Sequence, residues 1–266
     1  MNWADKVGRI LGSRVTGGRR LGGDLGGAAL VELADGRRVV AKQGQGAEAE
    51  GAMLEALRRA GAPAPEVLHR ADGLLIMTWV EAGGRADEAA WADLAQVLER
   101  LHRPVPEAYG WQADHRFGPV AIANTRGDDW VEFWARHRIL CHAPHVGAAL
   151  GPRLEALAAR LGELIPRDPP AGLLHGDLWG GNILFANGRM AALVDPACYY
   201  GHREVDVAML TLFDHPPDAF FAALSLEPGW RERLPVYRLW PLLVHLRLFG
   251  NSYRSAVLRA LEACGV

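Results

Sequence analysis

The run His175-Gly176-Asp177-Leu178-Trp179-Gly180-Gly181-Asn182 is followed, one short hairpin later, by Leu193-Val194-Asp195-Pro196. Together they place two carboxylates and a carboxamide at a spacing suited to metal-assisted phosphoryl transfer. That chemistry needs an acid anion to accept the proton of an attacking hydroxyl, and hard oxygen ligands for the magnesium that bridges the nucleotide phosphates. Asp177 suits the first task, Asn182 and Asp195 the second. Residues 183–185, the turn pair Asn187-Gly188 and residues 190–194 read as two strands about a tight turn, which returns Asp195 to the side of Asn182. A His-Gly-Asp beside glycines is by itself ordinary loop sequence, so the pairing with the hairpin carries the reading.

The elements around this pair read as two lobes. Residues 28–33 and 38–42 are apolar-alternating runs about Asp35-Gly36, residues 47–60 form an alanine- and leucine-rich helix stopped by Gly61 and Pro63, and residues 66–70 and 74–80 make a second hairpin. Ahead of them the glycines from Gly17 to Gly27 predict a loop and its flanks, because glycine weakens an element interior. From Glu81 the pattern changes to long amphipathic helices. Asp87 is placed to cap a helix with the stripe Trp91, Leu94, Leu98 and Leu101. Further helices are expected over 130–140, 151–164, 204–213 and 230–249, the last capped or kinked by Pro235 and Pro241, with a loop over 166–172 before the motif. The expected fold is α+β and bilobal, of protein-kinase-like plan: a small β-rich N-lobe over 1–80 and a larger helical C-lobe over 81–266, with a hinge near 77–83.

A kinase plan demands a phosphate-binding lysine and a carboxylate to orient it. Lys42 ends the strand Arg38-Val39-Val40-Ala41-Lys42, and Glu50 shares a helical stripe with Met53, Leu54 and Leu57. A carboxylate on an apolar stripe needs a cation or donors to offset its desolvation, and Lys42 is the evident partner. Gly22 and Gly23 belong to a glycine-rich turn whose N–H groups could cradle phosphates, although it has neither the Walker spacing nor a clean G-x-G-x-x-G. Adenine is expected at the hinge Met77-Thr78-Trp79-Val80. The absence of a Walker lysine, of G-x-S-x-G and of H-E-x-x-H speaks against P-loop enzymes and the commonest hydrolases.

Composition sets the outer bounds. The 266 residues, half of them hydrophobic, can bury a sizeable core, and 29 basic against 31 acidic residues argue against a nucleic-acid surface or a polybasic membrane anchor. Cys141, Cys198 and Cys264 show no zinc spacing and read as reduced thiols. No apolar leader opens the chain and no stretch is long enough for a membrane span, so a cytoplasmic location is expected.

The segment from His175 to Asn182 and the string Asp195-Pro196-Ala197-Cys198-Tyr199-Tyr200-Gly201-His202-Arg203-Glu204 strongly resemble the fructosamine kinase (ketosamine-3-kinase) family. The likeness extends to 50–58, to Asp128-Asp129-Trp130 through Arg138, and to Phe249-Gly250-Asn251-Ser252-Tyr253-Arg254-Ser255. It implies an ATP- and Mg2+-dependent kinase acting on the sugar O3 of ketosamines such as fructosyl or ribulosyl amines, with a role in deglycation. Carried over by position, it makes Asp177 the base, Asn182 and Asp195 the metal ligands, Lys42 the phosphate contact and Glu50 its partner. Trp179 and His202 become candidates to face substrate, with His175 and Asp206 as support for the catalytic loop. Trp179 reads equally well as a core residue. Some family members carry a redox-active cysteine in the glycine-rich loop where this chain has Asp24.

The expected partner is a small-molecule ketosamine, its amine free or on a glycated lysine or protein, with no nucleic acid and no membrane; the oligomeric state stays open. Rival readings are an aminoglycoside- or choline-type phosphotransferase of the same fold and a non-catalytic nucleotide-binding regulator. A protein kinase is disfavoured because Asp195 runs into the next motif without room for an activation loop.

Overall fold

The computed structural model describes residues 3–22, 27–84 and 86–266. They form two compact units, one of residues 1–90 with 182–196 and one of residues 91–181 with 197–266.

The first unit comprises α1 (Trp3–Leu11), β1 (Val15–Arg20), β2 (Ala29–Leu33), β3 (Arg38–Gln43), α2 (Ala47–Arg59), β4 (Val67–Ala71) and β5 (Leu74–Thr78). The strands make one antiparallel sheet in the order β1-β2-β3-β5-β4. Side chains alternate across a strand, so Val31, Leu33, Val39, Ala41, Leu74 and Ile76 point to one face, where Val7 of α1 covers them. Val40, Lys42 and Leu75 therefore point to the other, where α2 packs. Gly51 permits the close approach there: a Cβ on it would press on the side chains of Arg70 and Leu75.

Two local features depart from the expectation. α1 was not anticipated; its Trp3, Val7, Ile10 and Leu11 make an apolar stripe of only nine residues that the sheet stabilises. Gly17 and Gly18 lie inside β1 rather than in a loop, because β1 bulges and runs so close to β2 that a Cβ on Gly18 would meet the Leu30 carbonyl oxygen at 2.6 Å.

Strands Ile183–Ala186 and Arg189–Leu193 pair antiparallel about Asn187 and Gly188, whose φ of 53° and 72° suit a tight turn that keeps the right-handed twist of the pair. This hairpin is tied into the first unit: the Leu193 N–H donates to Pro63 O at 2.9 Å and the Gly83 N–H to Phe185 O at 2.8 Å. A single cut at residue 80 would have left it with residues 81–266; its contacts join it to the sheet-bearing unit instead.

The second unit is mainly helical. Its helices include Gly151–Leu164, Glu204–Phe213, Trp230–Phe249 and Arg254–Ala263, and it takes in residues 91–101 of helix Glu88–Leu101, whose first turn, in the first unit, is capped by Asp87 Oδ1 accepting from the Ala90 N–H at 3.0 Å. Trp230–Phe249 runs through Pro235 and Pro241 without a break. The helix expected over 130–140 changes winding: α-helical over Trp130–Trp134, it passes into a π turn over Ala135–Ile139 and a 3-10 segment over Leu140–His145. The π turn holds the fully buried Arg138, which donates to Asn124 Oδ1 at 2.7 Å and Ala123 O at 2.8 Å and lies 4.3 Å from the ring centre of Tyr199. Within the expected loop over 166–172 the chain already forms strand Ala171–Leu174, paired antiparallel with Tyr199–His202 and leading directly into the His175-Gly176-Asp177 motif. No helix among the described residues is long and apolar enough to cross a membrane.

Candidate active site

In the first unit Lys42, Glu50 and Asp195 converge. Lys42 Nζ donates to Glu50 Oε1 at 2.7 Å and also to Asp195 Oδ1. The Lys42 and Glu50 side chains are 13% and 18% exposed and that of Asp195 is 51% exposed, so the ammonium sits at the edge of the core with one carboxylate behind it and one toward solvent. Burial works against the Lys42 charge, but Glu50 and Asp195 more than offset it and hold the ammonium above its ordinary range. Burial and the like charge of Asp195 push Glu50 up, and Lys42 pulls it back.

Asn182 and Asp195 flank the open end of the hairpin: Ile183 pairs with Leu193, and the Val194 N–H donates to Asn182 O at 3.0 Å. Asp195 takes a φ of 52°, the left-handed region that Asp tolerates better than most side chains. Among the described residues no three of His, Cys, Asp and Glu converge on a metal position. The hard-oxygen pair of Asn182 and Asp195 suits magnesium, which takes few protein ligands and keeps its waters.

In the second unit the Asp177 loop is clamped from behind. Asp206, fully buried, accepts from the His175 N–H at Oδ2 and the Gly176 N–H at Oδ1, each at 2.9 Å, and His102 Nε2 lies 2.9 Å from Oδ2. Burial alone would raise the Asp206 carboxyl; the His102 hydrogen bond and charge, His175 and the Gly176 N–H outweigh it and hold it below its ordinary value. Gly176 has φ of 80°, and a Cβ there would collide with the Ala197 carbonyl oxygen. The Asp177 N–H donates to His175 Nδ1 at 3.3 Å. Trp179 is 40% exposed and meets Phe213 edge to face at 6.1 Å, so it is a surface residue of the loop rather than core. The next residue, Gly180, donates its N–H to Asp214 Oδ2 at 2.7 Å.

His202 requires a correction. It is 2% exposed, with Nδ1 2.7 Å from the Tyr237 hydroxyl and its ring edge-on to Trp130. Burial, with the charges of Arg233 and Arg203, lowers its pKa to about 3 and keeps it neutral. It packs the interior and does not face a substrate. Gly22 is an exposed residue of the β1–β2 connection, while Gly23 and Asp24 lie outside the described residues. Met77 is buried within β5, and the Thr78 and Trp79 N–H groups already donate to Glu66 O and Arg38 O. His102 and Asp214 were not singled out from the sequence; they lie 104 and 34 positions from their partners and carry no motif of their own.

The fold that carries these residues is shared with solved enzymes. Aminoglycoside phosphotransferase APH(4)-Ia, solved with ADP and hygromycin B, aligns with a TM-score of 0.68 at 19% identity over 98% of this chain and 96% of its own, which defines the fold as protein-kinase-like. A solved Thermobifida fusca structure named for fructosamine-3-kinase aligns with a TM-score of 0.89 at 32% identity, covering 98% of this chain and 97% of that one. A Thermus thermophilus protein named as a probable ketoamine kinase is 36% identical over 228 residues, 82% of this chain and 81% of its own. The family profile of fructosamine kinase matches residues 39–265, and the chain belongs to that family.

Proposed function

We propose that this chain is an ATP-dependent kinase that phosphorylates O3 of a ketosamine, a fructosyl or ribulosyl amine. The observation that supports the reading is Lys42, held at once by Glu50 and Asp195, which is the arrangement that phosphate binding beside a metal ligand needs. The ketosamine acceptor follows from the family and from what its relatives are named for.

Asp177 accepts the proton of the sugar hydroxyl as that oxygen attacks the terminal phosphorus of ATP, and ADP leaves. Asp206 fixes the backbone that presents Asp177, so the base is positioned before substrate arrives. Lys42 binds phosphate oxygens while Glu50 orients its ammonium. Asn182 and Asp195 would hold Mg2+, which neutralises phosphate charge when bound. An adenine read at the hinge would meet its carbonyls and the N–H groups beyond Trp79, since those of Thr78 and Trp79 are in use. A free ketosamine, a glycated lysine or a glycated protein would each satisfy this chemistry.

The test is Mg2+-dependent ADP release with fructosyl-lysine, ribulosyl-lysine, an aminoglycoside and choline, with Asp177→Asn as control. Turnover on a ketosamine that disappears in the variant is the expected result. Turnover confined to another acceptor would refute the substrate, and ATP binding without any turnover would make the chain a regulator.

A further inference from the structure

Asp214 is a carboxylate without a counter-ion. Half-buried just past the end of helix Glu204–Phe213, it accepts the Gly180 N–H at 2.7 Å, and among the described residues no lysine, arginine or histidine pairs with it. Its neighbour along the chain, Phe213, is 36% exposed and packs against Trp179, itself 40% exposed. The Asp214 carboxylate is also pressed onto Gly180, where a Cβ would strike Oδ1. The result is a held carboxylate and a partly exposed indole, whose six-membered ring lies over Gly181 on one side, both joined to the loop that carries Asp177.

An anion held by one backbone N–H beside an exposed aromatic ring is a receptor for an organic cation: the carboxylate supplies charge, and the ring face attracts the same charge through its quadrupole. A ketosamine carries such a cation, the secondary ammonium on C1, two carbons from the C3 that bears the reacting hydroxyl. Asp177 and Gly180 are three residues apart, which limits the separation of their Cα atoms to about 10 Å and keeps both carboxylates at one short loop. Phosphates and carboxylates, by contrast, would be repelled.

Resting on the ketosamine reading above, we infer that Asp214, with Trp179, binds the substrate's ammonium and makes the enzyme select amine-bearing sugars over neutral ones. Asp214 acts on the acceptor alone and takes no part in the nucleotide half of the site.

The experiment compares KM for fructosyl-butylamine with KM for its N-acetylated form, in which the nitrogen is neutral, in wild type and in Asp214→Asn. Asparagine keeps an oxygen for the Gly180 N–H, so the loop contact survives while the charge goes. The inference predicts that Asp214→Asn raises KM for the charged substrate about tenfold, the size of one lost charge-assisted contact, and moves KM for the neutral analogue less than about twofold. Asp214→Glu should recover part of the preference. An unchanged preference in Asp214→Asn, or equal losses on both substrates, would overturn the assignment while leaving ketosamine kinase activity intact. Absence of wild-type turnover on either compound would instead refute the ketosamine reading, and this inference with it.

Discussion

The imidazole of His102 and the carboxylate of Asp206 meet at 2.9 Å with both side chains closed off from water, and the same carboxylate receives the backbone N–H groups that open the Asp177 loop. His102 is thereby the third leg of a clamp whose other two legs are main-chain atoms.

Replacing His102 with Leu nearly keeps the volume and removes the donor. The variant should lose about 1–3 kcal/mol of stability, the cost of leaving a buried acceptor short of a partner. Its kcat should fall while KM for ATP stays near wild type, because the loop that carries the base is loosened. Urea denaturation and steady-state kinetics check the two halves; an unchanged kcat would show that the two backbone bonds suffice.

Gly176→Ala tests the same loop from its other side. The position has a φ of 80° and no room for a Cβ against Ala197. Destabilisation above about 2 kcal/mol, from combined backbone strain and collision, is expected in a denaturant titration.

Lys42→Met should lower kcat/KM by about 100- to 1000-fold, the range for losing a preorganised donor to developing charge. Glu50→Gln should cost less, since Asp195 still holds the ammonium. Equal losses in the two variants would mean that Glu50 acts beyond orienting Lys42.

Asp195→Asn should raise the Mg2+ concentration needed for half-maximal activity more than about tenfold, because a neutral amide replaces the site's charged ligand. The side chain is 51% exposed but is one of the two carboxylates on Lys42, so the unfolding free energy should fall by no more than about 1 kcal/mol. A magnesium titration of activity paired with a melt separates these outcomes.

His142 and His202 are buried neutral. Burial first, with nearby arginines, brings each to about 3 from an ordinary 6.5. Between those values the unfolded chain binds protons that the folded chain refuses. The stability they protect is therefore complete above pH 6.5 and is lost as pH falls, by about 1.4 kcal/mol per pH unit for each histidine. Unfolding free energies from pH 7 to pH 5 should decline accordingly, and a flat profile would mean that these rings protonate without cost.

The contacts of Lys42 with Glu50 and of the hairpin that ends at Asp195 were legible because they are local. Lys42 ends a strand, Glu50 lies on an apolar helical stripe that needs a cation, and an Asn-Gly turn returns Asp195 to Asn182; the bond between Lys42 and Asp195 was not foreseen. The supports of the Asp177 loop were only half legible. Asp206 came with the motif string, whereas His102 and Asp214 reach the loop through tertiary contacts that no short-range pattern encodes. His202 shows the opposite failure: a polar residue inside a functional string was read as facing substrate, and a hydrogen bond to Tyr237 lets it sit in the core. Gly17 and Gly18 misled for a related reason, since glycine marks close strand approach as well as loops.

Phosphorus NMR of the wild-type enzyme with ATP, Mg2+ and fructosyl-lysine, compared with Asp177→Asn, shows which hydroxyl receives the phosphoryl group. A new phosphate monoester resonance coupled to the C3 proton of the sugar is expected, growing as ATP is converted to ADP and absent in the variant. Phosphorylation at another carbon, release of inorganic phosphate alone, or equal signal from the variant would contradict the proposed reaction.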